Sequence, residues 1–212
     1  MAPLAPRPGH GLLRCPICRL DLAAAAGALA CRNRHSYDLA REGYVNLLAG
    51  GRRPPAEGGD RLDQLKHRAA FLEAGHFDFI PAAIRSRLQQ IAALPTDRSW
   101  RVLDAGSGTG HHLAGIAANL GAPVVGLGLD IAAAAARRAA RRWPGLAFAV
   151  VDLWADWPVH DAALDLVISI FAPKNFAERT RVLAPGRLAR GGLSRPKSSG
   201  RAQRSLLPDA TT

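Results

Sequence analysis

All three cysteines of the chain fall inside one 21-residue window that also holds a histidine. Cys15-Pro16-Ile17-Cys18 is a C-x2-C pair; twelve residues on comes Cys31, and three more separate it from His35. Three thiolates and one imidazole in the pattern C-x2-C-x12-C-x3-H form a donor set suited to tetrahedral zinc. Four protein ligands leave no coordination position for water, so such a metal is structural. A module of about 30 residues cannot bury a self-sufficient core, and the ion is expected to supply its folding free energy. The alternatives are incidental cysteines, or a C-x2-C redox pair that would need neither Cys31 nor His35. Arg14, Arg19, Arg32 and Arg34 surround the ligands, either as phosphate contacts or as ordinary solvated charges.

A second group of residues with chemical potential is Val102-Leu103-Asp104-Ala105-Gly106-Ser107-Gly108-Thr109-Gly110: an apolar strand, an acidic residue, then G-x-G-x-G. Gly106, Gly108 and Gly110 let the backbone turn at a strand end and approach a ligand without Cβ clashes. Asp130 ends the next expected strand, where a carboxylate suits ribose hydroxyls. A dinucleotide site is the competing assignment, but it needs G-x-G-x-x-G and a helix N-terminus aimed at a pyrophosphate. Asp104 would repel a pyrophosphate and favour the ammonium and sulfonium of S-adenosylmethionine (SAM), the expected cofactor. Asp152, after the following strand, is placed either to meet the adenine amino group or to cap the strand end. Phe171-Ala172-Pro173-Lys174-Asn175 follows the fourth strand, at the sheet edge where ligands bind. There Asn175 could hydrogen-bond a base edge and Lys174 could meet phosphate or developing charge on a base oxygen, unless the segment is an ordinary helix-capping loop.

The elements that must carry these groups follow from periodicity. Leu62, Leu65, Ala69 and Leu72, then Ile80, Ile84, Leu88 and Ile91, recur at helical spacing. Strands are expected at 101–105, 123–129, 146–151 and 164–170, with helices at 111–119, 132–142 and 176–183 between and after them. This alternation implies an α/β, Rossmann-like parallel sheet with helices on both faces. The domain organisation expected is a disordered lead over residues 1–14, a zinc-binding RNA-recognition module over 15–48, linker and helices over 49–94, a partial SAM-dependent methyltransferase domain over 95–186 and a basic irregular tail over 187–212.

The bulk numbers narrow the function classes. The 212 residues carry a formal charge of +11 and 48% are hydrophobic, which favours a packed protein with an acidic partner such as nucleic acid. The segment after Gly186 holds six Arg or Lys and one Asp, so the remainder is about +6. No long apolar run or signal-peptide pattern is present, and a cytoplasmic protein without a membrane partner is expected. Residues 132–142, almost wholly Ala and Arg, are expected to form a helix with one solvated face.

These residues resemble one family closely, the zinc-containing 23S rRNA guanine-N1 methyltransferases, which include enzymes of macrolide resistance. The resemblance runs from about Arg14 to Gly186. Cys15, Cys18, Cys31 and His35 match the family's zinc ligands. The run Ser36-Tyr37-Asp38-Leu39-Ala40-Arg41-Glu42-Gly43-Tyr44-Val45-Asn46-Leu47-Leu48 matches its H-x-[FY]-D-x-A-[KR]-E-G-Y-V-N-L-L signature. Gly59-Asp60, Arg68 and Phe71–Phe77 match a further segment, whose last aromatic lines the SAM pocket, so Phe77 is expected there. Leu103–Gly110 matches the cofactor loop, with His111, His112 and Leu113 in the turn that follows. Phe171-Ala172-Pro173 and Arg181-Val182-Leu183-Ala184-Pro185-Gly186 match two later motifs.

The resemblance implies methyl transfer from SAM to N1 of a guanine in 23S rRNA. The base would be unstacked, since N1 lies on the Watson–Crick edge, and most of the rate would come from aligning nitrogen, methyl carbon and sulfur. The general base is open: Asp60, Asp104 and direct loss of the proton to water are all conceivable. Beyond Gly186 the family pattern should continue with further strands, whereas this chain turns to Arg, Ser and Pro. A frameshift or truncation there is expected, leaving four strands of seven and a bare edge strand. Two other functions stay open: a non-catalytic zinc-ribbon RNA binder, and a SAM-dependent methyltransferase of small molecules. The oligomeric state, monomer or homodimer, is left open too.

Overall fold

The computed structural model describes residues 4–48, 62–91 and 98–185. Asp60, most of the expected linker and the basic tail lie outside the described residues.

After a 3-10 turn at Pro8–Leu12 come three short strands, β1 (Ala23–Ala25), β2 (Ala28–Ala30) and β3 (Ser36–Asp38). They form an antiparallel meander with Ala23 opposite Ala30 and Leu29 opposite Tyr37. Strand β4 (Tyr44–Asn46) leaves this meander. Helices α1 (Leu62–Glu73) and α2 (Phe79–Ile91) precede β5 (Trp100–Ala105), α3 (His111–Asn119), β6 (Val124–Asp130), α4 (Ala133–Arg142), β7 (Ala147–Val150), β8 (Leu166–Ile168) and α5 (Phe176–Val182). The larger sheet is wholly parallel, in the order β4-β7-β6-β5-β8. It therefore has five strands where four were expected. The fifth comes from the N-terminal module: Tyr44, Val45 and Asn46 pair with Phe148, Ala149 and Val150.

Two-sided burial explains the near-continuous apolar strands, and alternation divides their side chains between two cores. Val102, Phe148, Val150, Leu166 and Ile168 pack against Leu88 of α2, Leu113 and Ile116 of α3 and the alanines of α4. Their neighbours Leu103, Ala105, Leu127, Leu129, Ala147 and Ala149 face the opposite way. Helices were expected on that face too. Instead the layer is made largely by the N-terminal module: Leu12, Leu13, Cys15, Leu22, Leu29 and Leu39, with Trp157, Val159 and Val182 beside them. The meander is too small to stand alone and uses the sheet as its floor.

The expected disordered lead is also corrected for residues 4–14. Arg7 donates hydrogen bonds to the carbonyls of Leu146 (2.7 Å), Ala140 (2.9 Å), Trp143 (3.3 Å) and Glu42 (2.6 Å). A guanidinium at the C-terminal end of α4 satisfies carbonyls that the helix leaves unpaired. Leu13 bridges Val159 directly, and the His160 amide donates to the Leu12 carbonyl at 3.1 Å. A stretch rich in Pro and Gly is thus ordered by non-local partners that its composition does not disclose. The face of α4 turned to the sheet is Ala136, Ala139 and Ala140, with Ala135 packed against Leu65 of α1, while its arginines lie outside, as its pattern implied.

Candidate functional site: a metal cluster beside a glycine-rich cofactor loop

The ligand atoms of Cys15, Cys18, Cys31 and His35 all lie within 4.8 Å of one another. His35 Nδ1 is 3.4 Å from the sulfurs of both Cys15 and Cys31, and Cys18 Sγ is 3.6 Å from Cys31 Sγ. A tetrahedron with ordinary zinc–sulfur and zinc–nitrogen bonds has edges of about 3.5–3.8 Å, so the four atoms fit one zinc ion. Each half of the cluster is a tight knuckle. The Arg19 amide donates to the Cys15 carbonyl and the Arg34 amide to the Cys31 carbonyl, both at 2.9 Å. Burial pushes the Cys15 thiol up, but hydrogen bonds from Tyr37 and the amides of Cys18 and Ile17 outweigh it and bring the group down to about 6. Tyr37 Oη lies 3.4 Å from Cys15 Sγ, the kind of outer contact that fixes a metal ligand.

The glycine-rich loop sits at the C-terminal end of β5. Gly110, with φ +77°, is packed from beneath: a Cβ there would meet Phe148 Cζ at 2.8 Å and Trp143 Cδ1 at 2.9 Å. Gly108 also has positive φ (+52°), yet a Cβ there would meet nothing within 4 Å. Its open side is where a ligand can approach the backbone. Gly110→Ala is therefore expected to destabilise the fold by about 2–4 kcal/mol through overpacking and strain. Gly108→Ala should cost the fold only about 1 kcal/mol while abolishing most cofactor affinity. Thermal melts and calorimetry with S-adenosylhomocysteine on both variants check the pair; equal cofactor losses at equal stability would contradict it.

Asp104 lies below the loop, 2% exposed, with Oδ2 lacking a hydrogen-bond partner. Burial first, and the nearby charge of Asp130 second, push its carboxyl up to about 7, against the Leu113 amide, which lowers it. Asp130 fixes the loop: its two carboxylate oxygens accept from the Gly108 amide (2.7 Å) and the Ala132 amide (2.9 Å). A buried carboxylate with one oxygen unpartnered, beneath an open glycine, suits a cofactor with a cationic end, and these residues fit SAM.

Two family models match this chain. Residues 13–50 match the family model described as RlmA, N-terminal, a zinc ribbon, and residues 102–186 match a methyltransferase domain. The chain thus resembles the RlmA family over its zinc ribbon and methyltransferases in general over residues 102–186. It is 39% identical over 174 residues to a 23S rRNA (guanine(748)-N(1))-methyltransferase of Streptomyces fradiae, covering 82% of this chain and 60% of that protein. A relative from Micromonospora griseorubida is 41% identical over 187 residues, 82% of this chain and 62% of its own length. A solved Methanococcus maripaludis structure, assigned to the SAM-dependent methyltransferases, has a TM-score of 0.49 at 18% identity, covering 61% of this chain and 63% of that one. The chain thus spans about three fifths of the length of the curated relatives it matches.

The remaining expected site residues fall into distinct places. Phe77 lies between the loop after β8 and the start of α3, its ring 5.5 Å from that of Phe171 and 6.3 Å from that of His112. His112 has a buried Nδ1 without a hydrogen-bond partner, and burial, with His111 beside it, lowers its pKa to about 4. Leu113 is fully buried in the helix-side core, so its contribution is the amide held toward Asp104 and not a side chain lining the site. Asp152 accepts from the Trp154 amide at 2.9 Å, a turn cap. Asn175 does not present a free amide to a base. Its Oδ1 caps α5 through the Glu178 amide (3.3 Å), and its Nδ2 donates to the carbonyls of Leu153 (3.3 Å) and Ala155 (3.4 Å). Both of its donor hydrogens are spent on holding two loops together. Lys174 is exposed.

A set of residues wiring the ribbon to this edge escaped the sequence. Arg19, on the first knuckle, pairs with Asp156. Arg14 pairs with Asp161 at 3.0 Å, and its amide donates to the Pro158 carbonyl at 3.0 Å. Arg181 also pairs with Asp161 and donates to the carbonyls of Val159 and Trp157. Glu178 accepts from both Arg181 and the Trp157 amide. The aspartates at 152, 156 and 161 are the one sequence signal of this network, and they do not name partners more than 100 residues away.

Proposed function

We propose that this chain transfers the methyl group of SAM to N1 of a guanine in 23S rRNA. The observation that carries the proposal is the union of an RlmA-type Cys3His ribbon with a glycine-loop cofactor edge in one sheet, at 39% identity to an enzyme named for that reaction. Bound SAM supplies an electrophilic methyl on a positively charged sulfur. Gly108 gives the cofactor access to the backbone, Asp130 holds the loop in shape, Asp104 provides negative charge below it, and Phe77 and Phe171 bound the crevice. Asp104, set against the cofactor's cationic end, is not free to take the guanine proton. That proton leaves to water or to a group outside the described residues such as Asp60. The +11 chain is matched to a polyanionic substrate. Among the described residues no helix is long and apolar enough to cross a membrane, and a ribosomal RNA substrate places the enzyme in the cytoplasm.

Incubation of zinc-loaded protein with methyl-labelled SAM and unmodified 23S RNA tests the proposal. Expected is label in RNA, recovered as 1-methylguanosine after digestion. RNA binding without label would leave a non-catalytic RNA-binding ribbon, and label in small-molecule extracts alone would leave a different methyltransferase.

A further inference from the structure

The loops after β7 and β8 meet over the glycine loop. A Cβ on Gly106 would collide with Ala172 and lie 3.7 Å from Leu153, and Asn175 ties the second loop to the carbonyls on either side of Trp154. Three large aromatic rings project from this junction into solvent. Trp154 is 73% exposed, Phe171 77% and Phe176 67%, against almost complete burial of Trp157 and Phe148 nearby in sequence. Phe171 is also held at φ +54°, a conformation that bulky residues rarely adopt. Its ring has Phe77 on one side, 5.5 Å between centroids, and leaves the rest of its surface to solvent. Cations interleave with the rings: Lys174 is exposed, and the Arg179 guanidinium lies 5.5 Å over the Phe176 ring. The acids of the rim are engaged, Asp152 by the Trp154 amide and Asp156 by Arg19.

We infer that Trp154, Phe171 and Phe176 form a stacking platform for unpaired bases of the RNA substrate, with Lys174 and Arg179 meeting its phosphates. The inference rests on the proposed RNA substrate and adds the residues that hold the strand beside the cofactor. Alternating rings and cations recognise single strands because every base offers a π-face, whereas a base-paired duplex hides those faces. An enzyme acting on the Watson–Crick edge of guanine needs that preference, since its target must leave the helix.

The test is fluorescence-anisotropy binding of a labelled eight-nucleotide single-stranded RNA and of an eight-base-pair RNA duplex to the zinc-loaded chain. Expected is tighter binding of the single strand. Trp154→Ala and Phe176→Ala should each weaken it by roughly 5- to 100-fold, with duplex binding changed less than twofold. Trp154→Phe should restore most of the loss, and S-adenosylhomocysteine binding should persist in all three, marking them as folded. Phe171→Gly should raise the melting temperature by relieving the backbone and yet weaken single-strand binding, a split that a structural role would not give. Equal binding of single strand and duplex by the parent chain overturns the inference. So does unchanged single-strand affinity in Trp154→Ala and Phe176→Ala, and so does light scattering that shows these variants merely dissociating a dimer. A chain that binds single strands in this way but transfers no methyl group would sink the proposed reaction and leave the platform standing.

Discussion

Stripping zinc from the folded chain will cost it both its N-terminal layer and its grip on the cofactor, with S-adenosylhomocysteine affinity falling tenfold or more. The cluster contributes on the order of 10 kcal/mol to a ribbon of this kind, comparable with the whole stability of a typical domain. The ribbon's Leu12, Leu13, Cys15, Leu22 and Leu29 share one core with Leu103, Leu127 and Leu129 of the catalytic sheet, so its loss uncovers one face of the strands that present the glycine loop. The Arg19–Asp156 pair and the Arg14–Asp161 contact tie the knuckle to the loop that bears Asp152 and Trp154. Cys18→Ser and Cys31→Ser should reproduce the effect, since three ligands hold zinc far more weakly than four. Metal analysis, circular dichroism and calorimetry on chelator-treated protein measure it. Cofactor affinity within twofold of the zinc-loaded value would show that the ribbon is a passenger.

The second large effect is at Asp104. Asp104→Asn should weaken SAM binding at least tenfold while making the ligand-free protein more stable above neutral pH. The sign follows from the direction of the shift. The folded protein holds this carboxyl near 7, far above its unfolded value, chiefly because burial disfavours the charge. Its protonated form is thus favoured on folding. That contribution is complete below about pH 4, where unfolded chains are protonated too, and is lost as pH rises through about 7. The asparagine variant has no charge to lose, so its advantage in melting temperature should be several degrees at pH 8 and shrink toward pH 4. A cationic cofactor reverses the balance, because it stabilises the carboxylate in a low-dielectric site. Parent-chain affinity for SAM should accordingly rise between pH 6 and 8. A flat profile, or an asparagine variant that binds SAM as well as the parent, would remove Asp104 from the cofactor site.

Much of this was legible in the sequence wherever the relevant chemistry is local. The Cys and His spacing, the Asp before the glycines and the period of 3.6 in α1 and α2 are properties of short windows, and the structure brings those residues together as their types require. What escaped was non-local. Tyr44-Val45-Asn46 is too short to stand out as a strand, and nothing in three residues says that its partner is Phe148–Val150 and not the neighbouring meander. The layer opposite the helices was misread for the same reason: Leu13 and Leu29 could belong to a small separate core or to a sheet's second face. Arg7 could not be picked out because its four carbonyl partners are identified only by the fold. At Asn175 the residue type suited a base edge, but the same amide suits a helix cap, and the capping geometry won.

The pairing of β4 with β7 has a consequence for how the chain is made. The partners Tyr44 and Phe148 lie 104 residues apart. At ordinary rates of translation about 5–20 s separate their synthesis. Throughout that interval the emerging ribbon has its thiols and leucines in the open and no sheet to rest on. Capture of the ion by the nascent segment is then the event that guards these cysteines against oxidation, and cells short of zinc should accumulate this product as insoluble or degraded chains well before any shortage of methyl donor is felt.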